Sequence, residues 1–240
     1  MAEYTEKMRK GKEIIIRAAC VVLVIGLGIM AFPYIKQWLY DRNAREQIRE
    51  FEDRRDDLAE GEPDDLQDLY AAMQAYNRDL YENGQEDFRD AWSYQTPSFD
   101  LTEWGLPDNM AGSVEIPRMG VELPLYLGAN EENMRLGAAH LSQTSLPIGG
   151  ENTNCVIAAH RGYAMAAMFR DIEAMQEGDE VIVTNLWETL TYQVVETKVI
   201  LPSDTEEVLI REGRDLVTLI TCHPYGHNYQ RYVVYCERVP

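Results

Sequence analysis

Cys222 closes a β-type run, Asp215-Leu216-Val217-Thr218-Leu219-Ile220-Thr221, and is followed by His223-Pro224-Tyr225-Gly226, where a strand must end. A thiol at the mouth of a strand can face a groove beyond the sheet, and as thiolate it is a nucleophile. Four histidines are available to move its proton: His140, His160, His223 and His227. His223 is a poor partner, because neighbours along an extended strand point to opposite faces. His160 ends a second run, residues 156–159, and is followed by Arg161-Gly162. Arg231 opens the last run, nine residues after Cys222, a spacing that suits a loop between neighbouring strands. If the three strands are adjacent, a nucleophile, a proton carrier and a fixed cation for a developing oxyanion converge at one end of a sheet. The spacing fits equally a buried cysteine, a surface histidine and an ion-paired arginine. Unperturbed thiol and imidazole pKa values of about 8.5 and 6.5 leave such a pair mostly neutral at rest. The scattered Cys and His lack zinc-site spacing, and the chemistry calls for no metal or organic cofactor.

The elements that would position these residues begin after a different kind of segment. Residues 14–32 are apolar or small except Arg17. A helix of that length spans roughly 28 Å, near the ~30 Å hydrocarbon core, with Arg17 one turn from the end, where it can snorkel. Tyr34, Trp38 and Tyr40 follow at interfacial depth, while Lys7, Arg9, Lys10 and Lys12 precede it. The positive-inside rule places the N-terminus in the cytoplasm and everything after residue 40 outside. A cleaved signal peptide fits less well, since its best cleavage site, Gly26-Leu27-Gly28, is followed by more apolar residues. The same glycines match a dinucleotide fingerprint as a string, but no strand–helix–strand unit surrounds them. The chain carries 41 acidic against 22 basic side chains over 240 residues, a net charge of −19, which repels phosphate backbones and excludes nucleic acid as a partner. Four cysteines are too few for a disulfide scaffold.

Residues 1–40 therefore read as a cytoplasmic tail and anchor, 41–100 as a helical stalk and connecting segment, and 101–240 as a folded domain. Residues 41–60 are dense in Arg, Asp and Glu and read as a solvated helix, broken at Gly61-Glu62-Pro63. Asp64 is the expected cap of a second helix, in which Leu66, Leu69, Tyr70, Met73, Tyr76 and Leu80 recur at helical spacing until Asn83-Gly84. Residues 85–100 have no periodicity and read as a docked loop or a linker. Beyond residue 101, short β-type runs at 113–116, 121–126, 155–159, 180–185, 190–200, 216–221 and 231–237 predict an antiparallel-rich sandwich or barrel, and 164–175 is the clearest helix within it. Cys20 lies in the apolar segment. Cys155 and Cys236 each sit an odd offset of five from His160 and Arg231, which places them on the opposite face as small core residues. A bridge between them would need neighbouring strands.

The sequence resembles a family. Thr218-Leu219-Ile220-Thr221-Cys222, then Pro224-Tyr225-Gly226 and Arg231, looks like the signature of sortases, especially the pilin-polymerising class C. His140-Leu141, the stretch Thr144-Ser145-Leu146-Pro147-Ile148-Gly149-Gly150, and Ala159-His160-Arg161-Gly162 resemble the same class around its histidine. Ile116-Pro117 and Leu123-Pro124-Leu125-Tyr126 are similar to its first strands, so the match runs in order from about residue 110 to 239. The resemblance implies a mostly β protein, an eight-stranded sortase-type β-barrel with short helices, preceded by the transmembrane helix and a helical and lid segment, outside a Gram-positive cell membrane. Cys222 would attack the carbonyl between Thr and Gly of a Leu-Pro-X-Thr-Gly-like sorting signal. An amine from a pilin lysine or a cell-wall peptide would resolve the thioacyl enzyme, with His160 moving the protons and Arg231 holding the oxyanion. A housekeeping-type sortase and a non-catalytic extracellular binding barrel are the alternatives. The class also carries a lid built on an Asp-Pro-aromatic motif. Asp90-Ala91-Trp92 matches it in place, with Ala91 for proline, and implies Asp90 near Arg231 and Trp92 over or beside Cys222. Two departures stand out: His223 stands where the class usually has a small polar residue, and the sequence reaches only Pro240, so the second membrane helix common in the class is either cut off or absent in a single-anchor variant.

Overall fold

The computed structural model describes residues 1–61, 63–85 and 96–239. Helix α1 (Ala2–Gly61) carries the apolar segment and the charged stalk as one continuous rod. From Ile15 it is long and apolar enough to cross a membrane, and none of its most apolar window is covered by the rest of the chain, unlike a core helix. Helix α2 (Pro63–Asn83) starts two residues earlier than a cap at Asp64 implies, with Pro63 in the first turn where its missing N–H costs nothing. Asp64 is thus a first-turn acid at the positive end of the helix dipole, not the cap.

The stalk is not solvated all round. Ala44, Ile48 and Phe51 are buried, and Ile48 and Phe51 pack with Leu66, Leu69 and Met73 of α2 against Met110, Tyr126 and Leu127 of the barrel. Three apolar positions at offsets of four and three make a narrow helical stripe, which the surrounding charges hide. Leu66, Leu69, Met73 and Leu80 are buried as the α2 stripe predicts.

Eight strands follow: β1 (Met110–Ile116), β2 (Val121–Leu127), β3 (Ala138–His140), β4 (Thr153–Ala158), β5 (Glu180–Thr184), β6 (Thr189–Ile200), β7 (Asp215–His223) and β8 (Gln230–Arg238), with α3 (Glu131–Leu136) between β2 and β3. They close into a barrel in the order β1-β2-β3-β4-β7-β8-β6-β5, which removes the exposed edges of an open sheet. Pairing is antiparallel except for β2–β3 and β4–β7. Strand β3 has only three residues, too few to leave a periodic signal.

Inside the barrel lie Val114, Leu123, Leu125, Ile157, Val217, Leu219 and Val234. On the outer face of β3, β4, β7 and β8 a second layer, including Val156, Ala158, Ile220, Val233 and Tyr235, is covered by Ile200 and Val208. Burial on both faces explains why β4 and β7 read as near-continuous apolar runs without alternation. Gly112 (φ +151°) marks the bulge in β1; a Cβ there would stand 1.9 Å from the Thr184 carbonyl oxygen of β5.

Residues 164–175 form no α-helix. Ala164, Met165 and Met168 have positive φ, Tyr163 and Ala166 pair as an isolated bridge, and only Ile172–Ala174 makes a single 3-10 turn. Its apolar spacing mimics a helix because Ala166, Met168, Phe169 and Ile172 plug the barrel interior one by one.

Candidate active site

Three neighbouring strands bring the sequence-predicted residues together. Cys222 and Arg231 are register partners on β7 and β8. On the other side, β4 runs parallel to β7 with Ala158 opposite Ile220, so His160, two residues further, reaches the level of Cys222. Val156, Ala158, Ile220, Val233 and Tyr235 all pack on the outer face of the sheet. Counting by twos from them puts His160, Cys222 and Arg231 on that same face, at one end of the barrel.

Hydrogen bonds hold the two strand ends in line. The Thr221 hydroxyl donates to the Ala159 carbonyl at 2.7 Å, and the Ala159 N–H donates to the Ile220 carbonyl at 3.3 Å. Arg231 is only 3% exposed, and its Nη1 donates to the carbonyls of Asn228 (2.8 Å) and Gln230 (3.0 Å). Those bonds fix one edge of the guanidinium in the turn before β8. His160 is half-buried and its ring stacks on Tyr163, centroids 4.9 Å apart and 16° from parallel. Burial lowers its pKa, since the charged imidazole loses hydration there.

The other histidines are held elsewhere. His140 is fully buried, with Nε2 3.1 Å from the Thr144 carbonyl oxygen and 3.0 Å from its hydroxyl. Burial pushes its pKa down to about 4, which makes it a neutral structural group. His223 turns away from Cys222, as strand alternation requires. Its Nδ1 lies 2.9 Å from Arg161 Nη1 and 2.9 Å from Glu173 Oε1, and Arg161 Nη2 pairs with that same carboxylate at 2.7 Å. Arg161 Nη1 also donates to the Cys222 carbonyl at 3.4 Å. The guanidinium beside Glu173 holds its carboxyl below the usual carboxylate range. Sequence reasoning missed this cluster, although one signal was present: Arg161 and His223 each follow a site residue, so they share the opposite face of adjacent strands. His227 packs beside Tyr229 on the β7–β8 loop.

Cys155 and Cys236 are buried in the barrel interior, opposite the face of Cys222. Both register with Val217, so β7 lies between them. Two strand spacings put their Cα atoms roughly 9–10 Å apart, beyond disulfide reach. Burial raises both thiols well above the ordinary cysteine range. The expected lid residues Asp90 and Trp92 lie outside the described residues.

The sortase domain profile matches residues 114–239, the strands that build this site. The chain belongs to the sortase family. Sortases are cysteine transpeptidases, and this one is 30% identical to sortase A of Bacillus anthracis over 166 residues, 68% of the chain and 76% of the relative. It is 28% identical to sortase D of Bacillus subtilis strain 168 over 132 residues, 54% of the chain, and spans 64% of that relative's length. Among solved structures the sortase resembles sortase C of Streptococcus pneumoniae, with a TM-score of 0.72 and 34% identity over 81% of this chain and 97% of that one. It also resembles sortase C1 of pilus island 1 of group B Streptococcus, with a TM-score of 0.73 and 30% identity over 82% and 92%. Both are class C proteins, and the closed eight-stranded barrel with few helices matches theirs.

Proposed function

We propose that this sortase cleaves a Leu-Pro-X-Thr-Gly-like sorting signal and joins it to an amine, with a pilin lysine as the acceptor. The observation that carries the reading is the register pairing of Cys222 with Arg231, with His160 level on the adjacent strand and on the same face. The Cys222 thiolate attacks the Thr carbonyl carbon, and the charge that develops on its oxygen is held by the Arg231 guanidinium. As the tetrahedral species collapses the Thr–Gly C–N bond breaks, and protonated His160 gives its proton to the leaving amine, leaving a thioester. The acceptor amine then attacks that thioester, passes a proton to His160 and expels the thiolate. Arg231 suits the oxyanion role because a guanidinium stays charged at any relevant pH. Burial favours the uncharged form of His160, the form that takes up the thiol proton in the free enzyme.

In this reading residues 1–40 form the cytoplasmic tail and anchor, with the N-terminus inside, residues 41–100 the stalk and lid segment, and 101–240 the catalytic domain outside the membrane. Support comes from the uncovered apolar stretch of α1 and the basic residues that precede it. The same reading takes Asp90-Ala91-Trp92 as a lid over the groove, by resemblance to class C; a double Asp90→Ala, Trp92→Ala variant is expected to speed thiol-reagent labelling of Cys222. Intact mass spectrometry after incubation with a sorting-signal peptide tests the chemistry: a thioacyl adduct on Cys222 is expected, and its absence would remove the enzyme reading. Supplying a pilin-lysine peptide against a cell-wall peptide amine tests the acceptor.

A further inference from the structure

Among the cavities the chemistry above does not use, one lies between the foot of the extracellular part of α1 and the catalytic end of the barrel. It has a volume of about 680 Å³ and is lined by Tyr34 and Gln37 of α1, Tyr163, Met165 and Arg170 of the loop after His160, and Tyr225 of the β7–β8 loop. The Ala167 N–H donates to Gln37 Oε1 at 2.7 Å, which ties the loop to the helix.

Its height follows from helix geometry. Gln37 lies five residues beyond Phe32, where the apolar segment ends, hence roughly 7.5 Å further along the axis. Lipid headgroups occupy about 5–8 Å on each side of the hydrocarbon core. The loop is therefore at headgroup level whenever α1 spans the bilayer. Its side chains suit that layer. Met165 is 50% exposed, Tyr225 60% and Tyr229 59%, and Tyr34 and Trp38 are exposed on the facing helix. Tyrosine and tryptophan bury a ring among lipids while keeping a polar tip hydrated. The lining contains one cation, Arg170, and no carboxylate, in a chain with 41 acidic residues. Ala164 and Met165 hold left-handed backbone (φ +48° and +80°), uncommon for side-chain-bearing residues, and the turn they make leaves the Met165 side chain outward.

We propose that residues 162–166, with Tyr225 and Tyr229, form an interfacial surface that seats the catalytic end of the barrel on lipid headgroups. This rests on the reading of α1 as a membrane anchor. The active-site mouth, two residues before Gly162 and three before Tyr225, is then held at a fixed height on the bilayer, within reach of substrates that are themselves membrane-tethered.

The test uses the full chain with Cys20→Ser and Cys222→Ala, since Cys155 and Cys236 are buried. One cysteine is added as Phe32→Cys, Met165→Cys or Glu212→Cys, labelled with a small fluorophore, and the protein is inserted into phosphatidylcholine–phosphatidylglycerol vesicles containing lipid brominated high on the acyl chain. Glu212 precedes β7, beyond the end of the strand opposite Cys222, and Asp215 at that end is roughly 23 Å from Cys222. Quenching at positions 32 and 165 but not 212 is the expected result. Quenching at 32 alone overturns the interfacial surface and leaves the anchor standing. No quenching at 32 removes the anchor and the surface together. A label at 165 that lipid leaves unquenched, but a sorting-signal peptide shifts, would make the groove a peptide subsite and also overturns the proposal.

Discussion

Cys222 and Arg231 are cross-strand partners, so the thiol and the guanidinium are placed by one rung of the β7–β8 ladder and not by a flexible loop. The Arg231 contacts to Asn228 and Gln230 anchor the same side chain from the turn. Cys222→Ala is expected to abolish adduct formation with the barrel intact. Arg231→Ala is expected to lose at least about a hundredfold in kcat/KM, the scale of a lost oxyanion donor. Arg231→Lys should recover little of it, since an ammonium cannot hold two carbonyls and an oxyanion with one planar fork. Peptide-cleavage kinetics beside far-UV circular dichroism check all three, and full activity in Arg231→Ala would remove Arg231 from the chemistry.

His160 and His140 separate by what each variant loses. His160→Ala is expected to cost at least about a hundredfold in rate with little change in melting temperature. His140→Asn should still form the thioacyl adduct but melt earlier. Loss of the adduct in His140→Asn alone would mean that the proton carrier is the other imidazole.

His140 also predicts a pH dependence. The unfolded chain protonates this ring below about 6.5, while the folded protein does so only near 4. Between those values the unfolded state binds the extra proton. The stabilisation from burying a neutral ring is complete above about pH 6.5 and falls away as the pH drops toward 4, by about 3 kcal/mol in all. Thermal unfolding of the detergent-solubilised chain from pH 7 to 4 should show this slope in wild type and lose most of it in His140→Asn.

Arg161 joins the two strand ends behind the site through His223, Glu173 and the Cys222 carbonyl. Arg161→Ala leaves the Cys222 carbonyl and the partly buried His223 without their donor, while the half-exposed Glu173 is left to water, and a loss of about 1 kcal/mol is expected. His223→Thr, which removes only one member, should lower the melting temperature less and keep adduct formation. An unchanged melting temperature in Arg161→Ala would mean that this cluster does not brace the site.

The docked stalk is checked by Phe51→Ala. A ring 2% exposed between α1, α2 and the barrel should cost about 3–5 kcal/mol on removal, of which the α1 and α2 packing bears the first part. Hydrogen exchange of α2 amides would rise in this variant, and exchange at the wild-type rate would mean that the stalk does not depend on that contact.

The sequence by itself determined the strands that carry the site, because β4, β7 and β8 are apolar runs bounded by His160-Arg161-Gly162, His223-Pro224 and Arg231. It determined the long apolar segment of α1 by length and composition, and the α2 stripe by its period. These are local signals, written in consecutive residues. Only the tertiary structure decided that β7 lies between β4 and β8, since strand order depends on a crossover of more than fifty residues that leaves no local trace. That order brings Cys222 beside both Arg231 and His160, and the same order separates Cys155 from Cys236. Residues 164–175 look helical in sequence yet thread as turns, because a plug in a barrel mouth can bury apolar residues at any spacing that meets the cavity. The Ala44, Ile48 and Phe51 stripe was legible only once a partner surface existed, since three apolar side chains among so many charges gain nothing in an isolated helix.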